Sequence, residues 1–159
     1  MVLLEDIAAP LLMLVHVMSG LLGSGIWLAG VIVMVRTIKT GRFDDLRKTA
    51  TITLLIGATM FAVLLISGAL IYPTFRVYIR GGAYGLDAVS PYSTFEFELK
   101  EWVASSSIFS AIGAVIIAAT AENRAKAYSS IVLAMLTIVL VAIAAWLAVD
   151  IGRAGLIYG

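Results

Sequence analysis

The sequence contains no cysteine and no glutamine, and it has a single histidine and a single asparagine. Without cysteine, the chain forms no disulfide, no thiolate metal site and no thiol-based catalytic centre. One histidine excludes a bis-histidine haem and a zinc site built from several imidazoles. Depletion of thermolabile glutamine and asparagine is common in proteins of thermophiles, so a thermophilic source is an expectation.

Charged residues are also scarce. They make up 13% of the 159 residues, whereas hydrophobic residues make up 62%. A soluble domain carries about 25% charged residues, so this chain has too little polar surface for a water-soluble globule. The net charge of +1 gives no bulk attraction to nucleic acid, and we expect no nucleic-acid partner. The sequence also lacks a phosphate-binding loop and a nucleophile elbow, so we expect no catalytic activity of the chain on its own.

Four long stretches carry no full charge. They cover residues 7–35, 49–75, 102–121 and 127–149. About 20 apolar residues in a helix cross a bilayer core of about 30 Å, and each stretch reaches that length. The sequence therefore predicts an all-α integral membrane protein, a four-helix bundle of up-down topology formed by one transmembrane domain over residues 1–159. Its helices are expected near residues 8–37, 48–72, 94–121 and 126–150, with an outer loop over 73–93.

Lysine and arginine are unevenly distributed over the connections. The first connection, 36–48, and the third, 122–126, together hold 7 of the 11 basic residues. Basic residues concentrate on the cytoplasmic side of a membrane protein. We therefore expect a multi-pass protein of the cell membrane whose two termini and loop 73–93 lie on the outer side.

His16 lies within the first uncharged stretch, where a polar side chain is costly. At helical spacing it shares a face with Gly20, Gly23, Trp27 and Gly30. Two interpretations remain open. The glycines let a neighbouring helix approach closely while the histidine hydrogen-bonds across the contact, or the face admits a flat ring such as a porphyrin or a quinone head. We expect the face to point toward protein and not toward lipid.

A second set of polar residues gathers at the predicted outer ends of the helices. Tyr72 and Arg76 end the second helix, Glu98 and Glu101 begin the third, and His16 lies toward the outer end of the first. These five residues are the candidate cofactor-binding set, with haem, quinone or copper as candidate cofactors near His16. They form either a solvated rim of charges and interface aromatics or a pocket that binds a metal, relays protons or holds a ligand head. The same ends also carry Glu96, Lys100 and Asp150.

Small residues and tyrosines indicate contact with other helices or proteins. On the third helix, Ser106, Ser110 and Ala114 form a ridge of small residues, which favours helix packing over a polar conduit. The outer loop holds Tyr78, Tyr84 and Tyr92. Tyrosine is enriched at protein interfaces, so we expect this loop to bind a partner.

Two parts of the chain carry a family resemblance. The segment HVMSGLLGSGIWLAGVIV resembles the opening helix of small membrane families related to copper-resistance protein D. The later segments GALIYPTFR and FEFELKEW resemble the YPxYR and FExKEH pattern of an uncharacterised group of four-span bacterial and archaeal proteins.

The match to the YPxYR and FExKEH pattern comprises Tyr72, Pro73, Arg76, Glu98, Lys100 and Glu101. Phe75 stands where the group has a tyrosine, and Trp102 stands where it has a histidine. The resemblance implies a four-span architecture. If the group's histidine is a haem or metal ligand, this chain lacks that ligand.

Three functions are compatible with these residues. The favoured one is an accessory or anchoring subunit of a larger membrane complex, a respiratory or other redox complex engaged in electron transport. Its partners are the lipid bilayer and other membrane protein subunits. The second is a haem-, quinone- or copper-binding membrane protein that uses His16 and the outer acids. The third is a small oligomeric transporter or channel with the serines of the third helix along its path.

Overall fold

The structure is a computed structural model that describes residues 2–81 and 85–158. Within these residues the chain forms helices and their connections, with no strand. Four long helices, named the first to fourth span in chain order, are Val2–Thr40, Thr51–Phe75, Pro91–Ala119 and Arg124–Tyr158. The predicted all-α fold is confirmed.

Each span is long and apolar enough to cross a membrane. The crossing segments are Pro10–Thr40, Arg47–Pro73, Pro91–Ala119 and Arg124–Arg153. They contain 27 to 31 residues, which exceeds the about 20 residues needed for a bilayer core. Such helices tilt or extend beyond the hydrocarbon. The chain is a multi-pass membrane protein, as its uncharged stretches predict.

Spans that follow each other in sequence lie side by side. The first packs against the second and the third against the fourth over most of their lengths, while contacts of the second with the third and of the fourth with the first close the ring. Consecutive spans run in opposite directions. The start of the first and third spans and the end of the second and fourth therefore meet at one end of the bundle, called the outer end after its predicted orientation.

Large side chains and glycines interlock between the first two spans. A methyl group at Gly57 would lie 3.0 Å from Cε3 of the Trp27 ring, and one at Gly23 would lie 3.0 Å from Met60 Cβ. Trp27 is fully buried, and its Nε1 donates to the Ala134 carbonyl of the fourth span at 3.0 Å. The tryptophan therefore links three of the four spans.

The glycine face of the first span lies against the second span along its length. A methyl group at Gly20 would contact the Leu64 side chain, and one at Gly30 would lie 2.8 Å from Leu54 Cδ2. The predicted orientation of this face toward protein is confirmed. Since side chains of the second span fill the space beside the glycines, no gap for a flat ring remains between the two helices.

Alanine, serine and threonine form the contact between the third and fourth spans. Ser130 Oγ donates to the Ala114 carbonyl at 2.8 Å, and the hydroxyls of Ser110 and Thr137 lie 2.8 Å apart. Ser110 and Ala114 are buried, whereas Ser106 is exposed. Two of the three positions of the predicted small-residue ridge are therefore a helix contact within the chain.

The segment 73–93 corrects the predicted loop, because most of its described part is helical. The second span continues through a π-helical turn, Arg76–Arg80, and a short helix, Leu86–Val89, precedes the third span. The third span begins at Pro91, a residue type that suits the first helical position because it has no N–H to leave unpaired. The uncharged stretch 49–75 ends before Arg76, and the loop was predicted from that end. The helical backbone instead continues through the charged residues to Arg80.

The three tyrosines assigned to the outer loop have separate outcomes. Tyr84 lies outside the described residues, and so does the side chain of Tyr78. Tyr92 is exposed on the first turn of the third span, rather than in a loop.

Candidate functional site at the outer end

The ring of Phe97 is the centre of the outer end. Tyr72 and Phe75 of the second span stack nearly parallel to it, with ring centroids 5.5 and 4.8 Å away. Lys100 Nζ lies 4.2 Å from the centroid of the same ring, within the range of a cation–π interaction. These contacts join the second and third spans and fix the positions of the polar groups around them.

Arg80 organises a polar network beside this ring. Its Nε donates to Asp87 Oδ1 at 2.9 Å, and its Nη1 donates to the Tyr72 hydroxyl at 3.3 Å. Its Nη2 lies 3.7 Å from Glu98 Oε1. Thr94 Oγ1 donates to the same Asp87 oxygen at 2.7 Å. Hydrogen bonds from Thr94 and Arg80 lower the pKa of Asp87, so the short helix is held to both neighbouring spans by an ionised carboxylate.

A shallow cavity of about 260 Å³ opens between the second and third spans beside this network. Its lining comprises Tyr72, Arg80, Phe97, Glu98, Glu101 and Trp102. Aromatic faces therefore lie next to one guanidinium and two carboxylates. This combination suits a small planar group that stacks on a ring and exchanges hydrogen bonds at its edge.

The structure brings together three of the five residues predicted as a site. Tyr72, Glu98 and Glu101 line the cavity, while Arg76 is exposed and lies outside the lining. Arg80 occupies the place expected for Arg76. A π turn has more residues per turn than an α-helix, and this turn returns position 80 to the side of the helix on which Tyr72 lies.

His16, the fifth predicted residue, lies outside the cavity lining and serves the contact between the first two spans. Its Nδ1 lies 2.8 Å from the Leu64 carbonyl oxygen and 3.3 Å from Ser67 Oγ. Its ring packs on Gly68, where a methyl group would lie 3.0 Å from Cε1. With Nδ1–H donating to the carbonyl, the histidine hydrogen-bonds across the contact between the first two spans, in agreement with the first of its two interpretations.

The described residues form no cluster of metal ligands around His16. Across residues 2–81 and 85–158, no three histidine, aspartate or glutamate side chains converge as metal ligands do. The ring of His16 lies against Gly68, so a flat ring does not fit between the first and second spans at this point. A quinone head fits the chemistry of the cavity better, because the cavity offers aromatic faces and hydrogen-bonding groups instead of metal ligands.

Sequence reasoning did not include Phe97 and Arg80 among the site residues. A signal for Phe97 was present, since Phe97, Glu98, Glu101 and Trp102 lie on one side of a helix at spacings of one, four and five residues. For Arg80 the signal was the segment RVYIR, which contains no helix breaker before Gly81.

Comparisons of the chain with family models, with curated proteins and with solved structures find no match.

Proposed function

We propose that this chain is an accessory or anchoring subunit of a larger membrane complex. The observation that carries the proposal is one exposed face of the third span, named the Trp102–Phe109 face. It consists of Trp102, Ser105, Ser106 and Phe109, which lie on one helical stripe and are all exposed. The two aromatic side chains are 75% and 76% exposed.

The composition of this face favours a protein neighbour over lipid. Ser105 and Ser106 lie about one turn inside the uncharged stretch 102–121, next to the charged residues of the outer end, and the Ser106 hydroxyl donates to the Trp102 carbonyl of its own helix at 2.8 Å. Small residues let a second helix approach closely, whereas lipid gains no packing from them. Trp102 and Phe109 flank the serines and supply large apolar contact area. Another membrane-spanning subunit is therefore the occupant that fits this face.

We further propose that the complex is a respiratory or other redox complex. Two arguments support this step. The first span resembles the opening helix of families related to copper-resistance protein D. In addition, Trp102 belongs both to the exposed face and to the cavity lining, so a partner docked on the face would lie beside the cavity.

A photoreactive amino acid at position 105 tests the subunit proposal directly. In mild detergent or in native membranes, irradiation should link the third span to a different membrane subunit, identified by mass spectrometry as one that carries haem or copper. Position 132 of the fourth span is the matched control, because Val132 is 66% exposed on another side of the bundle. Adducts only with a second copy of this chain, or a homo-oligomer that carries its own chromophore, would contradict the proposal.

A second candidate function is the binding of a quinone head in the outer cavity. The observation that favours it is the combination of aromatic and charged groups around about 260 Å³. Purified protein should then retain a quinone that is extracted by organic solvent, and Glu101→Gln should reduce the amount retained. Full retention by a Trp102→Ala, Glu101→Gln double variant would exclude the cavity as the binding site.

We propose that both termini lie on the outer side of the cell membrane, because the first and third connections hold most of the basic residues. A reporter active only in the cytoplasm should give no signal when fused after Gly159 and a strong signal when inserted beside Arg42. The reverse pattern would invert the orientation and would place the cavity on the cytoplasmic side.

A further inference from the structure

A buried carboxyl group at the outer end has an unsatisfied oxygen. Glu96 lies on the second turn of the third span and is 3% exposed. Its Oε1 has no hydrogen-bond partner. The Asp150 carboxyl, near the end of the fourth span, and the Tyr92 hydroxyl contact the Glu96 side chain. Two acidic groups from different helices therefore meet, and one of them, Glu96, is buried.

The basic side chains at this end of the bundle do not neutralise this pair. Arg80 is bound to Asp87, and Lys100 lies 3.5 Å from Glu101 and over the Phe97 ring. Arg153, one turn beyond Asp150, is exposed. In the described part of the chain, no lysine or arginine forms an ion pair with Glu96 or Asp150. The pair is therefore not neutralised by a cation of the protein.

Two carboxylates in contact do not both remain ionised in a buried setting, because each destabilises the charge of the other. A proton on one of them removes one negative charge and also supplies the donor that Glu96 Oε1 lacks. A metal ion is a poor alternative, since hard cations such as Ca²⁺ take six to eight oxygen ligands and this position offers two carboxyls and one phenol.

We infer that Glu96 and Asp150 form a proton-binding site, in which one proton is held in a hydrogen bond between the two carboxyl groups. Binding converts two carboxylates and one proton into a pair that carries a single negative charge. Asp150 is half-buried and Tyr92 is exposed, so the proton exchanges with water at the outer surface. This site lies away from the Trp102–Phe109 face and does not depend on the subunit proposal.

The shared proton also connects the third and fourth spans at their outer ends. Beside the pair, Ile151 packs with Leu86 of the short helix and with Phe97. When the proton leaves at alkaline pH, repulsion between two carboxylates should separate Glu96 from Asp150 and loosen this packing. The bundle then has an outer end whose closure depends on proton binding.

Infrared difference spectroscopy of the full chain in detergent or lipid tests the inference. At neutral pH the wild type should show the C=O stretching band of a protonated carboxyl group, and the band should disappear reversibly at alkaline pH. Glu96→Gln and Asp150→Asn should each abolish it, because the new amide N–H replaces the shared proton. Glu122→Gln is the matched control, since Glu122 is an exposed carboxyl group at the opposite end, and it should leave the band unchanged.

The infrared spectrum of the wild type can contradict the inference by itself. The test therefore does not depend on whether the two variants fold. Absence of a protonated-carboxyl band in the wild type at neutral pH would show that both acids are ionised. Persistence of the band in either folded variant would assign the proton to another residue. Both results would contradict a shared proton at this pair, and neither depends on whether a partner subunit exists.

Discussion

The two most extensive interfaces of the bundle are built differently. Between the first and second spans, a glycine on one helix receives a large side chain from the other, as Gly57 receives Trp27. Between the third and fourth spans, small residues occur on both helices and hydroxyl groups form hydrogen bonds across the contact, as between Ser130 and the Ala114 carbonyl. The first interface depends mainly on shape, with the His16 bond to the Leu64 carbonyl across it. The second has one such interlocked contact, Gly113 with Leu133, and otherwise depends on close approach with hydrogen bonds.

This difference matters because lipid tails are as apolar as the helices, so little hydrophobic driving force holds transmembrane helices together. Packing and hydrogen bonds remain. An interlocked interface tolerates no added volume, whereas a hydrogen-bonded interface loses about 0.6 kcal/mol for each bond removed. Substitutions at the glycines should therefore cost several times more than removal of a hydroxyl.

The largest effect is expected from Gly23→Leu. A methyl group at this position already lies 3.0 Å from Met60 Cβ and 3.2 Å from the Phe61 ring, so a leucine forces the two helices apart. We expect the free energy of unfolding to fall by about 3 kcal/mol, at the upper end of typical overpacking costs. Thermal or denaturant unfolding in detergent micelles measures the loss.

Gly25→Leu is the control for this substitution. Gly25 lies on the same helix two residues away, and a methyl group there would meet nothing within 4 Å. Its effect should stay within about 0.5 kcal/mol. Equal stability of the Gly23 and Gly25 variants would show that the first interface does not depend on shape.

Trp27→Phe should have an intermediate effect. The change keeps an aromatic ring beside Gly57 but removes volume from a fully buried position and the N–H donor to the Ala134 carbonyl. We expect a loss of about 1–2 kcal/mol in unfolding free energy, from the hydrogen bond and the small cavity together. Tryptophan fluorescence cannot follow this variant at position 27, so circular dichroism is the suitable measurement. A loss below that of the Gly25 control would contradict the linking role of Trp27.

The sequence predicts the four spans and the faces of the first span that contact protein, but it does not predict which helices form each interface. The uncharged stretches predict four spans, because burial in lipid requires long apolar helices. Helical periodicity predicts that Gly23, Trp27 and Gly30 face protein. It does not identify which helix covers them, because the complementary glycines, Gly57 and Gly68, become informative only when paired with Trp27 and His16 across the contact.

The outer end was harder to predict because its details depend on register and on tertiary contact. A single π turn decides that Arg80, and not Arg76, reaches Tyr72. From the sequence, Glu96 is one of the polar residues at the outer ends of the helices, for which a solvated rim and a pocket both remain open. It is buried since the fourth span and the short helix cover this part of the third span, and no local sequence signal shows that coverage.

The smallest effect, and the sharpest measure of the contrast, is expected at the hydroxyl pair between the third and fourth spans. Thr137→Val removes the hydroxyl that lies 2.8 Å from Ser110 Oγ but keeps a similar shape. Each hydroxyl has one proton, so one of the two donates across the contact while the other donates to a carbonyl of its own helix, which is that of Ser107 for Ser110 or that of Leu133 for Thr137. When its partner is removed, either hydroxyl can donate to its own carbonyl. Removal of one partner therefore leaves no unsatisfied group on the other, and the coupling between the two should be about 0.6 kcal/mol.

A double-mutant cycle of Thr137→Val and Ser110→Ala in unfolding free energy isolates this coupling from the other effects of each substitution. Ser129→Ala provides the control, because Ser129 is an exposed hydroxyl of the same helix that bonds to the Ala125 carbonyl and to no other span. Its combination with Ser110→Ala should show no coupling. A coupling of about 2 kcal/mol or more between Thr137 and Ser110 would exceed the range measured for such bonds in membranes. The third and fourth spans would then be held by hydrogen bonds as strongly as the first and second are held by shape, and the distinction between the two interfaces would fail.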